Sequence, residues 1–282
     1  PPVSSAEISL TRNANDKEPL SKANFTREDL FHFPKLLSYS SLSGQKEKQE
    51  FGKDYDDTDL KTVPSVERND RFGFPKGANA GTCLHNILED LSFADTSNIE
   101  QVVEQNLDYS GIDEKWKPET IKWVSEILEH PLEDPDITLS KLSDSEVLKE
   151  MEFFFPVQRL KAEDLWKIIR TDPPTSIASE SVHGFMKGYI DLTFKANGKF
   201  YILDYKSNYL GDHLDEYGKD ALQQAMEDSG YDLQYHIYTL ALHRFLAARI
   251  KDYDFEDHFG GVLYLFLRGV NRDVPGSGVY FD

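Results

Sequence analysis

A chain of 282 residues that is 39% hydrophobic, with 18 Phe and 14 Tyr, can bury the core of one large domain or of one and a half. Fifty acidic against 31 basic residues leave a net charge of −19. That balance argues against a free-standing nucleic-acid binder, because phosphate contacts come from clustered Lys and Arg. The single cysteine, Cys83, excludes internal disulfides and cysteine-ligated clusters within one chain. No apolar run of about 18 residues exists to span a membrane. The opening stretch PPVSSAEISLTRNANDKEP lacks the apolar segment of a signal peptide, so a cytoplasmic location is expected.

Residues 1–35 are polar and of mixed charge and are expected to form a tether, with the domain proper over 36–282. Ser38-Tyr39-Ser40-Ser41-Leu42 reads as a short helix start. Residues 43–70 are charged and without periodicity, the pattern of a polar surface excursion. No internal repeat and no G-x-x-x-x-G-K-[ST] phosphate loop occurs, so an ATP motor of that kind is excluded. In Phe74–Phe93, Leu84, Ile87, Leu88 and Leu91 fall at helical spacing behind a lead of small residues. His85 and Glu89 share a face of this helix. A lone helical histidine is ordinarily structural and gains weight as a ligand only if the helix packs beside the hairpin described next.

Residues 98–130 predict one or two amphipathic helices, with Trp116 and Trp123 in packing roles. EFFFPV, Glu152–Val157, reads as a strand ended by its own proline. Glu150 and Glu152, at its start, either contribute a carboxylate or stand at a solvated strand end. Residues 158–182, with Pro173-Pro174, read as a connection.

The stretch Gly188–Ser207, GYIDLTFKANGKFYILDYKS, carries the chemistry. Asn197-Gly198 between two apolar runs is a strong hairpin signal, because both turn positions need positive φ. A two-residue turn pairs Lys195 with Phe200, Leu192 with Leu203 and Asp191 with Asp204, and puts Lys206 on the same side as the two acids. Opposed carboxylates destabilise a sheet and resist ionising together, and a divalent cation removes that conflict. Mg²⁺ suits the site, being a hard ion held by one or two carboxylates plus water and substrate phosphate, with Mn²⁺ a plausible substitute. The arrangement points to metal-dependent phosphodiester hydrolysis. Lys206 is placed to orient or help deprotonate a water, or to stabilise developing charge. An Asp-x-Lys triplet alone says little, since Asp59-Leu60-Lys61 and Asp113-Glu114-Lys115 occur in polar surroundings. The weight lies on the register.

Asn208–Gly230, with the acidic Asp212–Glu216, reads as a solvated connection or a mobile loop beside the site. Tyr231–Lys251 predicts a long helix with Leu233, Ile237, Leu240 and Leu246 buried, and with Gln234 and Tyr238 four apart on one face. Gly260–Leu267, GGVLYLFL, predicts a buried strand. Strand, hairpin, helix and strand behind a helical lead give an α/β sheet flanked by helices.

With these residues in hand, the chain resembles the C-terminal nuclease domains of the RecB family. The likeness rests on GTCLHNILE, EMEFFFPV, MKGYIDLTF, YILDYKSNYLG, YDLQYHIYTLALHRFL and FGGVLYLFLRGV, which run from Gly77 to Val270 in family order, with a fainter match at SYSSL. It implies the PD-(D/E)xK restriction-endonuclease-like fold, a mixed central sheet flanked by helices. It places the metal ligands on His85, Asp191, Asp204 and the Tyr205 backbone carbonyl, and the catalytic lysine on Lys206. The family's Q-x-x-x-Y signature falls on Gln234 and Tyr238, to contact substrate or position the lysine. An additional acid falls on Glu150 or Glu152. Ile190 stands where the superfamily name has proline, as is common among RecB relatives.

The activity implied is a Mg²⁺-dependent DNA nuclease acting on single-stranded or unwound DNA. It would belong to a bacterial RecBCD-type helicase–nuclease in double-strand-break repair, recombination and degradation of linear DNA. RecC, RecD and RecA are implied as partners by resemblance alone. The iron–sulfur branch of related nucleases is excluded by the lone cysteine. With no helicase segment in the sequence, an excised nuclease domain or a stand-alone relative is expected. The rival readings are a catalytically silent docking module for RecA or partner subunits, and a nuclease acting on RNA or small phosphoesters.

Overall fold

Asn197 and Gly198 both adopt positive φ, 50° and 84°, as a tight two-residue hairpin turn demands. They join β3 (Val182–Ala196) to β4 (Lys199–Lys206), the centre of the fold. The computed structural model describes residues 35–39, 42, 68–132, 137–169 and 182–282. The expectations for residues 1–34 and 43–67 lie outside these, and of Ser38–Leu42 only Ser38, Tyr39 and Leu42 are described, the last two helical and buried. The described residues belong to one compact unit.

Among the described residues the sheet has six strands. β1 (Lys35–Leu37) runs parallel to β3, β2 (Val147–Leu160) antiparallel to β3, and β4 antiparallel to β3. β5 (Phe259–Phe266) runs parallel to β4, and β6 (Val279–Phe281) antiparallel to β5. The predicted hairpin register holds from Ala196↔Lys199 to Leu192↔Leu203. β2 takes one edge of β3 throughout. The other edge is shared by β1 at Gly184–Met186 and β4 from Leu192 onward, which leaves a fork at 187–191.

Alternation along the central strands feeds two cores. Leu192, Phe194, Leu203, Tyr205, Leu263 and Leu265 pack under α1 (Ala78–Asp90), α2 (Ile99–Tyr109) and α3 (Lys117–Glu129). Ile190, Ile202, Val262, Tyr264 and Phe266 pack against α4 (Ala162–Ile169), α5 (Lys219–Ser229) and α6 (Tyr231–Ala247). Burying each such large apolar side chain stabilises the fold by roughly 1.5–3 kcal/mol. Trp123 serves the packing role expected, with its indole N–H donating to the Leu267 carbonyl at 2.7 Å and Phe74 edge-on to its ring.

Several local expectations are corrected. Pro156 does not end a strand but pairs with Phe185 inside β2, which is tolerated because β2 has its free edge outward. Part of 158–182 is the helix α4, whose Trp166 is fully buried. The stretch 208–230 is no solvated connection: it holds α5, with Tyr217, Leu222 and Met226 in the core. Leu240 is 45% exposed, because α6 turns it away from the sheet while Leu233, Ile237 and Leu246 face inward. Among the described residues no helix is long and apolar enough to cross a membrane.

Candidate metal and catalytic site

The two strands flanking the fork change faces at one level. In β2, Val147 and Lys149 face the α1 side, whereas Met151, Phe153 and Phe155 face the α6 side. The switch falls on Glu150, whose φ of +49° is rare for a residue with a side chain and costs of order 1–3 kcal/mol. Along β3, Ile190 faces α6 and Leu192 faces α1. The pairs Lys149↔Leu192 and Met151↔Ile190 therefore bracket Glu150 and Asp191, which lie at the same level of the sheet.

At this level β3 and β4 part. The ladder stops at Leu192↔Leu203, one step before the Asp191–Asp204 pair that the turn register implies. Asp191 instead accepts the Tyr205 backbone N–H at 2.8 Å, and its carboxylate lies 3.4 Å from His85 Nδ1. Because N–H and C=O of one strand residue point to the same edge, the Tyr205 carbonyl opens into this fork as well. α1 is brought close by Gly81, where a Cβ would come within 2.6 Å of Ser207 Oγ. That approach sets His85, buried one turn further on, edge-on to the Tyr205 ring at 5.7 Å.

Asp204 and Lys206 share a face, as expected, but it is the α6 face. Lys206 Nζ lies 2.9 Å from Asp204 Oδ2, with both side chains almost wholly buried. The ammonium sits 3.9 Å from the centre of the Tyr231 ring and 5.4 Å from that of Tyr264. Tyr264, the register partner of Asp204 on β5, donates its hydroxyl to Gln234 Oε1 at 3.0 Å, and Gln234 Nε2 donates to the Tyr238 hydroxyl at 3.0 Å. The Q-x-x-x-Y residues are thus connected to Lys206 through Tyr264, and both are buried. Tyr231 donates to Asn208 Oδ1 at 3.2 Å, closing the network towards the end of β4.

The expectation that Asp191, Asp204 and Lys206 occupy one face is therefore corrected. Asp191 stands at the open edge with His85 towards α1, and Asp204 with Lys206 lies towards α6, with the Tyr205 backbone between them. The fork is the cause, since opposed side chains share a face only where the ladder continues. The two upstream acids part company too. Glu152 is exposed and held by Lys187 at 2.8 Å and by the Tyr189 hydroxyl at 3.2 Å; the Lys187 hydrogen bond, then that from Tyr189, lowers its pKa. Glu150 lies beside the fork.

Burial, and then the charges of Asp191, Asp204 and Glu150, raise the Tyr205 phenol well above its ordinary pKa. Among the described residues its hydroxyl has no hydrogen-bond partner. Three acids thus bear on one buried ring, and one of them, Asp204, is paired with Lys206. Among the described residues no three of His, Cys, Asp and Glu form a ready-made metal cage. The oxygen-rich set of Asp191, Asp204 and a carbonyl, with one imidazole, fits a hard ion that keeps most of its waters.

Sequence reasoning missed Tyr231, Tyr264 and Lys149. Tyr264 could have been found from its place in GGVLYLFL beside the acid strand. Lys149 donates to the Leu88, Glu89 and Leu91 carbonyls at the end of α1 and lies over Phe93, linking the strand of Glu150 to the helix of His85.

A family profile described as the PD-(D/E)XK nuclease superfamily matches residues 64–276. The chain is 44% identical over 213 residues to the RecBCD enzyme subunit RecB of Escherichia coli (strain K12), covering 73% of this chain and 18% of that protein. It is 35% identical over 277 residues to RecB of Buchnera aphidicola subsp. Schizaphis graminum (strain Sg), covering 93% of this chain and 23% of that protein. With RecB of Haemophilus influenzae it shares 37% identity over 241 residues, 82% of this chain and 20% of that protein. The chain spans about a fifth of the length of these curated relatives.

Proposed function

Since the chain belongs to the PD-(D/E)XK nuclease superfamily, we propose that it is a Mg²⁺-dependent deoxyribonuclease acting on single-stranded or unwound DNA. In this reading it works as the nuclease domain of a RecBCD-type helicase–nuclease in double-strand-break repair, recombination and degradation of linear DNA. RecC, RecD and RecA are its partners, an assignment that rests on the kinship with RecB. The observation that carries the proposal is the fork itself, where the Asp191–His85 pair meets the Asp204–Lys206 pair across the Tyr205 backbone.

Asp191, Asp204, the Tyr205 carbonyl and His85 would hold the cation, with Glu150 the additional acid. A cation held there would supply Lewis-acid polarisation of the scissile phosphate and lower the pKa of the attacking water. The chain's own residues do the positioning. The Tyr205 amide and His85 fix the Asp191 carboxylate from two directions. Lys206, held by Asp204 and the Tyr231 face, orients the water, helps to deprotonate it or stabilises charge as the phosphodiester bond breaks. Gln234 and Tyr238 act behind Lys206 by fixing Tyr264 and are buried away from substrate.

The test is to incubate the chain with linear and circular single-stranded DNA, in Mg²⁺ and in EDTA. Degradation of the linear strand in Mg²⁺ alone is expected. No cleavage of either strand in any divalent cation refutes the reading.

A further inference from the structure

The face switch at Glu150 and Asp191 turns a piece of sheet outward, and no described element lies across Phe154 and Leu36 there. Beyond it, Met151, Phe153, Phe155, Met186 and Ile190 face the α6 core. Glu152, Phe154, Phe185, Lys187 and Tyr189 consequently take the opposite face, the side on which α1 lies further along the sheet. Phe154 is 58% exposed there. Its ring is stacked on that of Phe185, with centroids 4.6 Å apart and planes 12° from parallel. Leu36 of β1, the register partner of Phe185, is exposed beside them. An apolar patch of this kind on a sheet face calls for an occupant.

The place and chemistry of the patch select one. Tyr189 lies two residues from Asp191 along β3 and Phe185 six, so the face begins about 7 Å from Asp191 and extends about 20 Å from it at roughly 3.3 Å per residue. Glu152 holds Lys187 and the Tyr189 hydroxyl in place on this face, with the Lys187 ammonium 5.4 Å from the centre of the Tyr189 ring. Flat aromatic surfaces, set in a line that ends at a phosphodiester-cleaving site, match a single strand, whose bases offer π-faces.

We propose that Phe154 and Phe185, with Tyr189 and Lys187, form a stacking platform for the unpaired bases of a single-stranded nucleic acid led towards Asp191. The platform rests on the nuclease reading and adds to it a surface that rejects duplex, whose bases are already stacked on one another. Phe154 and Phe185 are positioning residues here, remote from the bond that breaks.

The experiment measures binding by the full chain in EDTA, where nothing is cleaved, using fluorescent oligothymidylate and an abasic strand of the same length. Phe154→Ala and Phe185→Ala are each expected to weaken oligothymidylate binding about tenfold while leaving the abasic strand unaffected. Phe154→Tyr, which keeps the ring, is expected to bind as wild type does, and thermal melting checks that each variant folds. Unchanged oligothymidylate binding by both alanine variants overturns the platform, and is also the result if the patch serves a protein partner. Equal losses on the abasic strand overturn it as well. The two readings separate cleanly. Wild-type chain that cuts DNA while both alanine variants bind as it does removes the platform alone. Ring-dependent binding without cleavage in Mg²⁺ keeps the platform and removes the nuclease.

Discussion

Replacing Lys206 with methionine separates the charge of this residue from its volume. Methionine fills the space of the lysine stem against Tyr231 and Tyr264, so the cavity left behind is small. What disappears is the ammonium 2.9 Å from Asp204, in a pair whose side chains are only 2–3% exposed. Breaking such a buried pair by removing one partner costs about 3–5 kcal/mol, because the remaining charge stays out of water. For a domain of this size each kcal/mol lowers the melting temperature by about 2–4 °C, so Lys206→Met is expected to melt on the order of 10 °C below wild type. Lys206→Met combined with Asp204→Asn recovers most of the loss, since no charge is then stranded. Added Mg²⁺ raises the melting temperature of the single variant more than that of wild type, the cation taking over the role of the ammonium. Thermal unfolding followed by circular dichroism, with and without Mg²⁺, measures all three. A single variant melting within about 2 °C of wild type, or a double variant no better than the single, refutes the reasoning.

Three further outcomes are expected. Gln234→Leu removes the hydrogen bonds that Gln234 makes with the Tyr264 and Tyr238 hydroxyls and costs about 1–3 kcal/mol; steady-state cleavage assays should show kcat falling with KM unchanged, and a change in KM alone would place Gln234 at the substrate. Glu150→Gln lowers cleavage by about a hundredfold in single-turnover assays, because Glu150 lies at the level of Asp191; activity within about twofold of wild type would remove Glu150 from the site. His130 is fully buried, and burial holds its ring below the ordinary pKa of 6.5. The unfolded chain therefore binds the extra proton, and His130 contributes a loss of stability as pH falls from about 7 towards 5. Denaturant titrations should show that slope flattened in His130→Leu.

The hairpin was legible because Asn-Gly dictates its own backbone, and the register followed by counting. Asp204 and Lys206 were legible for the same reason, being two apart on one strand and so on one face. The side on which Asp191 would stand was not. Counting assumes that the ladder continues, and here β4 departs while β1 takes over the edge of β3, a long-range event that no local pattern announces. The different placing of Glu150 and Glu152 was hidden similarly. Period-two reasoning puts both acids on one face, and only the positive φ at Glu150 separates them. Leu240 was misplaced because α6 is apolar nearly all round, so periodicity gave little guidance to its inward face. α5 was missed because its charged and amide residues dominate the stretch, and Leu222 and Met226, one turn apart, are too few to make a pattern.

The reversal of β2 at Glu150 makes one strand answer to two masters. Upstream, its inward positions are constrained by the helices that carry His85; downstream, by the helix that carries Gln234. A conservative change on one half is therefore invisible to the packing of the other, and the hinge residue alone feels both. Lengthening or trimming the outer half, towards Leu160, would alter the face that carries Phe154 and leave the spacing of Asp191 and Asp204 as it was.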